Sequence, residues 1–470
     1  MTGRMIVSPL VVFLCLLAAF EFCARLPFVL YVLSAPETGI AIHTHFFSFQ
    51  SPDEVIVLGL TITTMALVAG LFAAFISSPS VPQAWGPDDF PRIPATLYPV
   101  GLLFVGAAFV AIASLGVSAL LADISGKRSE LGDYGLTWLL LKLGNFCHLI
   151  AALFFVRMQQ TGSVLDRIAF GVTVLALLVS TIVFSQRAIL ISFLLEIVYL
   201  QLLLGTFQMR RLGSIALMVL LAGILISALR PGSASMSVGE LLLFGVEKLL
   251  QSRYFLDFTK LGTTALWADG EPWMGPVIIG FVLEPFLGDQ VIFYKEIGQI
   301  IARETYLYSA STGVTPGALL EGVLSFGIAG GILTFGLIFF VFLRVERALF
   351  AGGPHSLWTT MVLLLILSKF SLLLNSSLGA FAFQFLLEFM MLLLAFTLMS
   401  LLGSVSATSS SPKSSSPKSS SPKSSIPMSS IPMSSSATSS ARTYPYGPRR
   451  TSYGRTAASG AASGTGLIRD

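Results

Sequence analysis

Long apolar runs without period-two alternation dominate the chain up to about residue 402. Such runs favour helices over the strands of a membrane barrel, because a barrel strand alternates apolar and polar side chains. Each run is close to the roughly 20 residues with which a helix crosses the hydrocarbon core of a bilayer. The pattern predicts about ten spanning helices, at Met5–Cys23, Glu54–Ile76, Thr96–Leu121, Tyr134–Val156, Ile168–Ser185, Ala188–Phe207, Leu212–Leu229, Gly317–Leu343, Trp358–Leu374 and Leu378–Leu402.

The composition agrees with a lipid-facing surface and disagrees with a soluble one. Hydrophobic residues make up 54% of the chain and charged residues 11%, whereas a soluble domain has about 25% charged residues. A soluble fold would have to bury every apolar run as a short core element, and several runs are too long for that. We therefore predict an all-α, polytopic transmembrane helix bundle. The short apolar stretch Leu26–Leu33 either extends the first helix past Pro27 or lies in the membrane interface.

Basic residues predict the orientation of this bundle, because the side richer in Lys and Arg near the span ends is the cytoplasmic one. With ten helices, one side collects Arg4, Arg157, Arg167, Arg210, Arg211, Arg344 and Arg347. Both termini fall on that side and are predicted to be cytoplasmic. The opposite side then carries the tight turn at Gln186–Arg187 and one large extracytoplasmic loop, residues 230–316. The net charge of +4 is small and gives nucleic-acid binding little support.

The loop and the C-terminal tail depart from the spanning pattern. Residues 1–402 form the predicted membrane domain, and the Ser/Pro/Lys-rich residues 403–470 are predicted to be a disordered cytoplasmic tail, because they cannot bury apolar area. The tail is either dispensable or a weak electrostatic tether to anionic lipid. Within the loop, Val238–Leu261 has the interleaved charges of an amphipathic helix that lies at the membrane surface or caps the bundle, and Gly275–Pro285 is an apolar segment too short to cross. A loop of this length is usually functional.

Arginines near the predicted outer face are candidates for binding an anionic substrate. Arg187 lies between two spans joined by almost no loop, and Arg230 ends the seventh predicted span. Arginine suits phosphate, because its guanidinium grips phosphate oxygens bidentately and stays charged. Snorkelling to the interface is the structural alternative for Arg187. Arg253 and Arg303 could join from the loop, or could simply be solvated.

Other ionisable residues within apolar runs have a structural interpretation. Glu196, Lys142 and Lys369 are predicted to pair with one another or with backbone carbonyls, and His148 to be a satisfied histidine of the bundle. No metal-ligand spacing, Gly-rich phosphate loop or nucleophile elbow is present, so neither a metal nor a cofactor is expected. Gly327 and Gly331 form a small-xxx-small pair, which is typical of close helix packing.

One stretch resembles a motif of the bacterial oligosaccharide repeat-unit polymerases, the O-antigen and capsule polymerases of the membrane-embedded type. It runs from Ser311 through Pro316 and Glu321 to Ser325-Phe326-Gly327. In that family a Ser/Thr-Gly segment and a Pro precede a Gly-Glu pair and an Asn-Phe-Gly at the opening of a transmembrane helix. This chain has Leu320-Glu321 and Ser325-Phe326-Gly327 in those places. Ser185-Gln186-Arg187 is similar to the Gly-Ser-Arg element of the family, and the resemblance in layout covers roughly residues 50–402.

The resemblance implies a metal-independent glycosyltransferase of the bacterial inner membrane. It would extend an oligosaccharide carried on undecaprenyl diphosphate, with membrane lipids and a chain-length regulator protein as further partners and O-antigen, capsule or exopolysaccharide as product. Arg187 and Arg230 would hold the diphosphate, helped by Arg253 and Arg303, with Gly327 in the substrate-binding segment. Glu321 would be the general base for the acceptor hydroxyl; a helix-start carboxylate favoured by the helix dipole is the structural alternative.

Three other functions remain open on the sequence. A transporter or flippase for the same kind of lipid-linked glycan should show inverted repeats or paired broken helices, and the sequence has no clear internal duplication. A ligase that transfers finished glycan to lipid A core would use the same diphosphate chemistry. In a scaffolding membrane protein, the placement of the arginines would be incidental.

Overall fold

The computed structural model describes residues 8–35, 51–77, 85–115, 135–184, 187–208, 213–214, 217, 221, 237–250, 257–268, 317–351, 355–376 and 378–409. All regular elements in these ranges are helical. In chain order they are α1 (Pro9–Ala19), a π-helical turn (Phe20–Arg25), α2 (Leu26–Ser34), α3 (Pro52–Ser77), α4 (Leu97–Leu115), α5 (Gly135–Asn145), α6 (Cys147–Thr161), α7 (Val164–Phe184), α8 (Arg187–Leu203), α9 (Val238–Leu250), α10 (Phe258–Trp267), α11 (Gly317–Phe350), α12 (Leu357–Ser368), α13 (Phe370–Asn375) and α14 (Leu378–Ser409).

In the described ranges, seven helical segments are long and apolar enough to cross a membrane. They correspond to seven of the predicted spans and lie at Pro9–Ser34, Pro52–Ser77, Leu97–Ser114, Val164–Thr181, Gly317–Phe350, Leu357–Leu374 and Phe381–Gly403. Their outer faces carry large apolar side chains, among them Phe75 at 81% and Leu333 at 75% exposure. Apolar surface on this scale is costly in water and favourable in lipid. The chain is therefore a multi-pass membrane protein.

The three remaining predicted spans differ from the expectation or fall outside the described ranges. The span predicted at Tyr134–Val156 is divided at Phe146 into α5 and α6. The span predicted at Ala188–Phe207 is the shorter α8. Most of Leu212–Leu229 lies outside the described residues, as do Gly275–Pro285 and the tail beyond Ser409, so these parts of the topology stay predictions.

The first spanning helix is longer than predicted. It continues past Pro27 to Ser34, so the extension is the right interpretation of Leu26–Leu33. Between α1 and α2 the chain makes a π-helical turn that contains Glu21 and Arg25. Single π-turns inside helices frequently mark functional positions, and this one directs two charged side chains into the protein.

The segment Val238–Leu261, predicted as one amphipathic helix at the membrane surface or capping the bundle, includes α9 and the start of α10. α9 exposes Leu242 and Leu243, as an interfacial helix would. At the start of α10, Asp257 and Lys260 are each 1% exposed. The surface placement therefore fits α9, whereas Asp257 and Lys260 lie inside the bundle, where opposite charges compensate them.

An ion pair attaches α10 to the first spanning helix. Nη2 of Arg25 lies 2.7 Å from Oδ2 of Asp257, and Nη1 lies 3.6 Å from Oε1 of Glu21. Asp257 also caps α10, because its Oδ1 accepts hydrogen bonds from the N–H groups of Thr259 and Lys260 at 3.1 Å. Burial alone would raise the pKa of the Asp257 carboxyl, but the charges of Arg25 and Lys260 hold this pKa below its usual value.

Two glycines allow the backbones of α10 and α3 to come into direct contact. A Cβ at Gly59 would lie 1.8 Å from the carbonyl oxygen of Phe258, and a Cβ at Gly262 would lie 2.0 Å from that of Val55. No larger residue can occupy either position without separating the two helices. Small residues at such contacts are typical of membrane bundles, so α10 is an integral part of this bundle.

A second polar cluster connects α4, α6 and α7. Nε of Arg157 donates a hydrogen bond to Oδ1 of Asp166 at 2.8 Å, and the hydroxyl of Tyr98 donates to the same oxygen at 2.6 Å. Nε2 of Gln160 donates to the carbonyl oxygens of Phe90 and Pro91, both at 3.1 Å. These contacts fix the segment that precedes α4 and have a structural role.

Candidate functional site

α11 contains a sharp corner at Gly327. This residue has φ 73° and ψ 178°, a conformation that is essentially restricted to glycine. It divides α11 into an arm, residues 317–326, and a long part, residues 328–350. A Cβ at Gly322 would lie 3.0 Å from Cα of Gly331, whereas a straight helix would separate these positions by about 13 Å. The arm therefore folds back on the long part. Gly327 and Gly331 were predicted to be a helix-packing pair. Gly331 does pack closely, against Gly322 of the arm, whereas Gly327 turns the chain.

The corner places Glu321, on the arm, at the beginning of α14. The N–H of Leu378, the first residue of α14, donates a hydrogen bond to Oε2 of Glu321 at 2.5 Å. A helix N-terminus favours a carboxylate at this position, so the dipole that stabilises Glu321 is that of α14. Glu321 is 1% exposed, and its Oε1 has no hydrogen-bond partner among the described residues. One oxygen is thus fixed and the other has its lone pairs available.

Arg187 lies at the same end of the bundle as this carboxylate. It begins α8, and the other end of α8 packs against the last turn of α11, where the rings of Tyr199 and Phe350 are 6.2 Å apart. Nearer its start, α8 contacts α13, because Ser192 Oγ lies 3.1 Å from Ser371 Oγ. The structure describes the backbone of Arg187 and not its side chain.

α13 connects the start of α8 to the start of the arm. A Cβ at Gly317, the first residue of the arm, would lie 2.6 Å from the carbonyl oxygen of Leu374 in α13. α13 therefore contacts α8 at Ser192 and the arm at Gly317, while Glu321 on the arm binds the start of α14. Arg230, Arg253 and Arg303 lie outside the described residues, so their predicted participation stays a prediction.

Sequence analysis did not foresee a buried group of four ionisable side chains in the interior of the bundle. We call it the quartet; it consists of His148, Glu196, Lys369 and Glu388. Nδ1 of His148 lies 2.7 Å from Oε1 of Glu196, and Nε2 lies 3.2 Å from Oε2 of Glu388. Nζ of Lys369 is paired with the same Oε2 of Glu388. Exposure of these residues ranges from 0% to 8%.

The quartet corrects part of the pairing expected from the sequence. His148 is a satisfied histidine of the bundle, as predicted, and Glu196 pairs with it. Lys369, however, pairs with Glu388, which sequence analysis overlooked although it is a carboxylate in the middle of an apolar run. Within the described part of the chain, no group of three or more His, Cys, Asp or Glu side chains could hold a metal ion. The contacts within the quartet are hydrogen bonds and ion pairs.

Two helix interruptions lie beside the quartet. α5 ends and α6 begins around Phe146, whose ψ of −10° departs from the helical value, and α12 and α13 meet at Lys369 with a ψ of −7°. The ring of Phe146 is 6.3 Å from that of His148, and Lys369 is itself a member of the quartet. Backbone hydrogen bonds continue across both positions, from the N–H of Phe146 to the carbonyl oxygen of Lys142 and from the N–H of Leu373 to that of Lys369, so the helices are distorted there and do not unwind.

Comparison of the chain with protein-family models, curated proteins and solved structures gives no match. Functional inference therefore rests on the geometry around Glu321, on the quartet and on the sequence motifs.

Proposed function

We propose that the chain is a membrane glycosyltransferase that polymerises undecaprenyl-diphosphate-linked oligosaccharide repeat units into surface polysaccharide. The observation that carries this proposal is the corner at Gly327. It brings the carboxylate of Glu321 to the end of the bundle at which α8 begins with Arg187. Both residues belong to the motifs on which the family resemblance rests, although they are far apart in the sequence.

The proposed reaction joins two carrier-linked glycans. A hydroxyl oxygen of the acceptor sugar attacks the anomeric carbon of the donor glycan, and the bond between this carbon and the undecaprenyl diphosphate breaks. The hydroxyl proton passes to Oε1 of Glu321. The bonding electron pair leaves with the diphosphate, whose growing negative charge is stabilised by the Arg187 guanidinium, with Arg230, Arg253 and Arg303 as further candidates.

The surroundings of Glu321 suit a general base that must act in competition with water. The side chain is almost fully buried, and the hydrogen bond from Leu378 fixes one of its oxygens. A fixed carboxylate needs little reorganisation when the acceptor hydroxyl arrives, and burial limits the access of water, which would otherwise hydrolyse the donor.

The proposal places the protein in the bacterial inner membrane, with about ten spans, both termini cytoplasmic and residues 230–316 on the extracytoplasmic side. Cysteine labelling tests this orientation. A cysteine introduced near Trp273 should react with an impermeant maleimide added to intact spheroplasts. Labelling that requires access from the cytoplasm would overturn the orientation.

A lipid-linked glycan transporter is the second candidate, because two helix distortions, at Phe146 and Lys369, lie beside a buried charged group, and polar sites in transporters lie at helix irregularities. An O-antigen ligase-like transferase is the third. Purified protein in lipid vesicles, given a synthetic undecaprenyl diphosphate repeat unit, separates the three. Polymerisation should give a ladder of longer glycans without added metal or nucleotide. Movement of the unit across the vesicle membrane without a ladder would favour transport, and transfer to lipid A core alone would favour the ligase.

Variants of Glu321 and Glu346, measured in the same assay, test the role of Glu321. Glu321→Gln should reduce elongation by about 100- to 10,000-fold, the usual contribution of a general base, because the amide cannot accept the proton. Glu346→Gln is a matched control, since Glu346 is a buried carboxylate near the other end of α11 that accepts a hydrogen bond from Ser8 Oγ at 2.6 Å. It should retain elongation. Full activity of Glu321→Gln would exclude Glu321 as the base.

A further inference from the structure

The quartet has no part in the proposed transfer reaction, and it is built from four separate regions of the bundle. His148 comes from α6, Glu196 from α8, Lys369 from the junction of α12 and α13, and Glu388 from α14. Charged groups at membrane depth are costly and are retained where they pair with one another or serve a function. The contacts of the histidine show which function this group can serve.

Both ring nitrogens of His148 face carboxylate oxygens, at 2.7 Å and 3.2 Å. A neutral imidazole has one N–H donor, and an ionised carboxylate has none. With a neutral ring and two ionised carboxylates, one of these contacts would bring two acceptors together. One additional proton removes the conflict, whether it resides on the ring or on a carboxylate.

The charge balance gives the same requirement independently. Lys369 compensates one of the two carboxylates, so a neutral His148 would leave one negative charge without a counter-charge in a group that is almost fully buried. Such a charge is expensive in a medium of low dielectric constant. The additional proton makes the quartet neutral. Oε2 of Glu196, which has no hydrogen-bond partner among the described residues, is a further acceptor to which it can move.

Other titratable groups on the helices around α6 are farther from the ring. Lys142 on α5 precedes His148 by roughly 9 Å along the helix axis, and Arg157 follows it by roughly 13 Å at 1.5 Å per residue. Arg157 engages Asp166 from α7, which also binds Tyr98 from α4. Among the described residues, the charged groups shown within hydrogen-bond distance of the imidazole are the two carboxylates of the quartet.

We propose that the quartet is a binding site for one exchangeable proton, and that the interruptions at Phe146 and Lys369 allow α5 and α13 to shift when this proton leaves. Loss of the proton restores the conflict at the ring and leaves an uncompensated charge. Both can be relieved if Lys369 or the carboxylates move. Lys369 is itself the junction between α12 and α13, and Phe146 packs against the ring from the other junction. This proposal does not depend on the transfer reaction.

Solid-state NMR of the full chain in lipid bilayers tests the proton site. The chain has four histidines, and replacing His43, His45 and His355 by Gln leaves His148 as the reporter. Nitrogen-15 signals of the ring distinguish imidazolium from the neutral tautomers, and carbon-13 signals of the Glu carboxyls reveal a carboxylic acid. We expect one of these protonated forms at neutral pH and its reversible loss as the pH rises. A neutral ring beside two ionised carboxylates at every pH would overturn the proposal, as would a proton that neither exchanges nor titrates.

Variants separate a proton site from a static ion pair. In Glu388→Gln the amide can donate to the ring, so the need for the additional proton disappears and His148 should be neutral at the pH at which the parent is protonated. Glu346→Gln, which replaces a buried carboxylate outside the quartet, should leave the His148 signals unchanged. If Glu388→Gln does not fold, Glu196→Gln makes the same test from the other side of the ring. An unchanged imidazolium in a folded variant would contradict the assignment.

A fluorescence measurement tests the proposed shift of α5. An environment-sensitive fluorophore on a cysteine at Leu139, which is 40% exposed on α5, should change emission with the same pH midpoint as the His148 signals. The same fluorophore at Leu333 on α11 should not change. An emission at Leu139 that is constant across this midpoint would refute the coupling between the proton and the helix junctions.

Discussion

Replacing Gly327 by alanine tests whether the corner of α11 positions Glu321. Gly327 has φ 73° and ψ 178°, and a residue with a Cβ in this region costs about 1–3 kcal/mol. The strain is relieved if residue 327 becomes helical, which would align the arm with the long part of α11. Positions 322 and 331 would then separate to about 13 Å along the axis, and Glu321 would leave the N-terminus of α14.

The displacement of the arm can be measured without an activity assay. In a chain whose three native cysteines are replaced by alanine, a cysteine at Ser325, which is 2% exposed on the arm, should react slowly with a maleimide. Since 1.4 kcal/mol is a factor of ten in an equilibrium, Gly327→Ala should accelerate this labelling by about 5-fold to about 150-fold. Gly327→Asn should behave similarly, because asparagine tolerates the left-handed helical region but not this extended one with positive φ.

Gly171→Ala is the matched control for this prediction. Gly171 lies in α7, and a Cβ there would meet nothing within 4 Å. Its replacement should leave the labelling of position 325 unchanged and should raise the thermal midpoint slightly, because alanine is favoured over glycine in a helix by about 1 kcal/mol. If Gly327→Ala labels at the parental rate and keeps the parental midpoint, the corner is not fixed by glycine and the proposed positioning of Glu321 fails.

Two further predictions concern the attachment of α10. Asp257→Ala should destabilise the bundle by about 3–5 kcal/mol, the usual cost of removing one partner of a buried ion pair, because Arg25 and Lys260 would keep only Glu21 as a buried counter-charge; an unchanged thermal midpoint in detergent would contradict this. Because the pKa of Asp257 is lowered, the stabilisation by its charge should be complete above about pH 4, its ordinary pKa, and should be lost as the pH falls below it; a pH series of thermal midpoints measures this. Gly262→Ala should lower the midpoint, since its Cβ would lie 2.0 Å from the carbonyl oxygen of Val55; a midpoint like that of Gly171→Ala would refute the contact.

The long apolar runs predicted most of the spanning helices, because lipid requires about 20 apolar residues in one stretch and the sequence has few other ways to use them. The same pattern left α10 between two placements, at the membrane surface or capping the bundle. Its short length and regularly spaced charges are typical of a surface helix, and only the three-dimensional fold brings Arg25 to Asp257 and compensates them. The division at Phe146 was also missed, although Gly144 lies two residues before it, because a single glycine in a helical pattern is equally compatible with close packing.

The candidate site was predictable where a motif or a strong local rule existed. Glu321 and Gly327 were identified from one short stretch, and Arg187 from its position between two spans. The sequence could not show that Gly327 turns the chain, because a glycine within a helix pattern is equally compatible with close packing. Glu388 could have been found by listing every ionisable residue in an apolar run. The partners of Glu388, His148 and Lys369, could not have been found in this way, because residues distant in the sequence come together only in the folded chain.

Glu321 and the quartet differ in a property that assigns them different tasks. A general base must accept a new proton from its substrate, so it needs an oxygen whose lone pairs are available and whose position is already fixed. Glu321 meets both conditions, because Oε2 is held by the N–H of Leu378 and Oε1 has no hydrogen-bond partner among the described residues. In Glu388, Oε2 engages both Lys369 and His148, so an incoming substrate would have to displace two strong contacts. The carboxylate with an unpaired oxygen is therefore the better candidate for group transfer, and the fully engaged one for retaining a proton within the bundle.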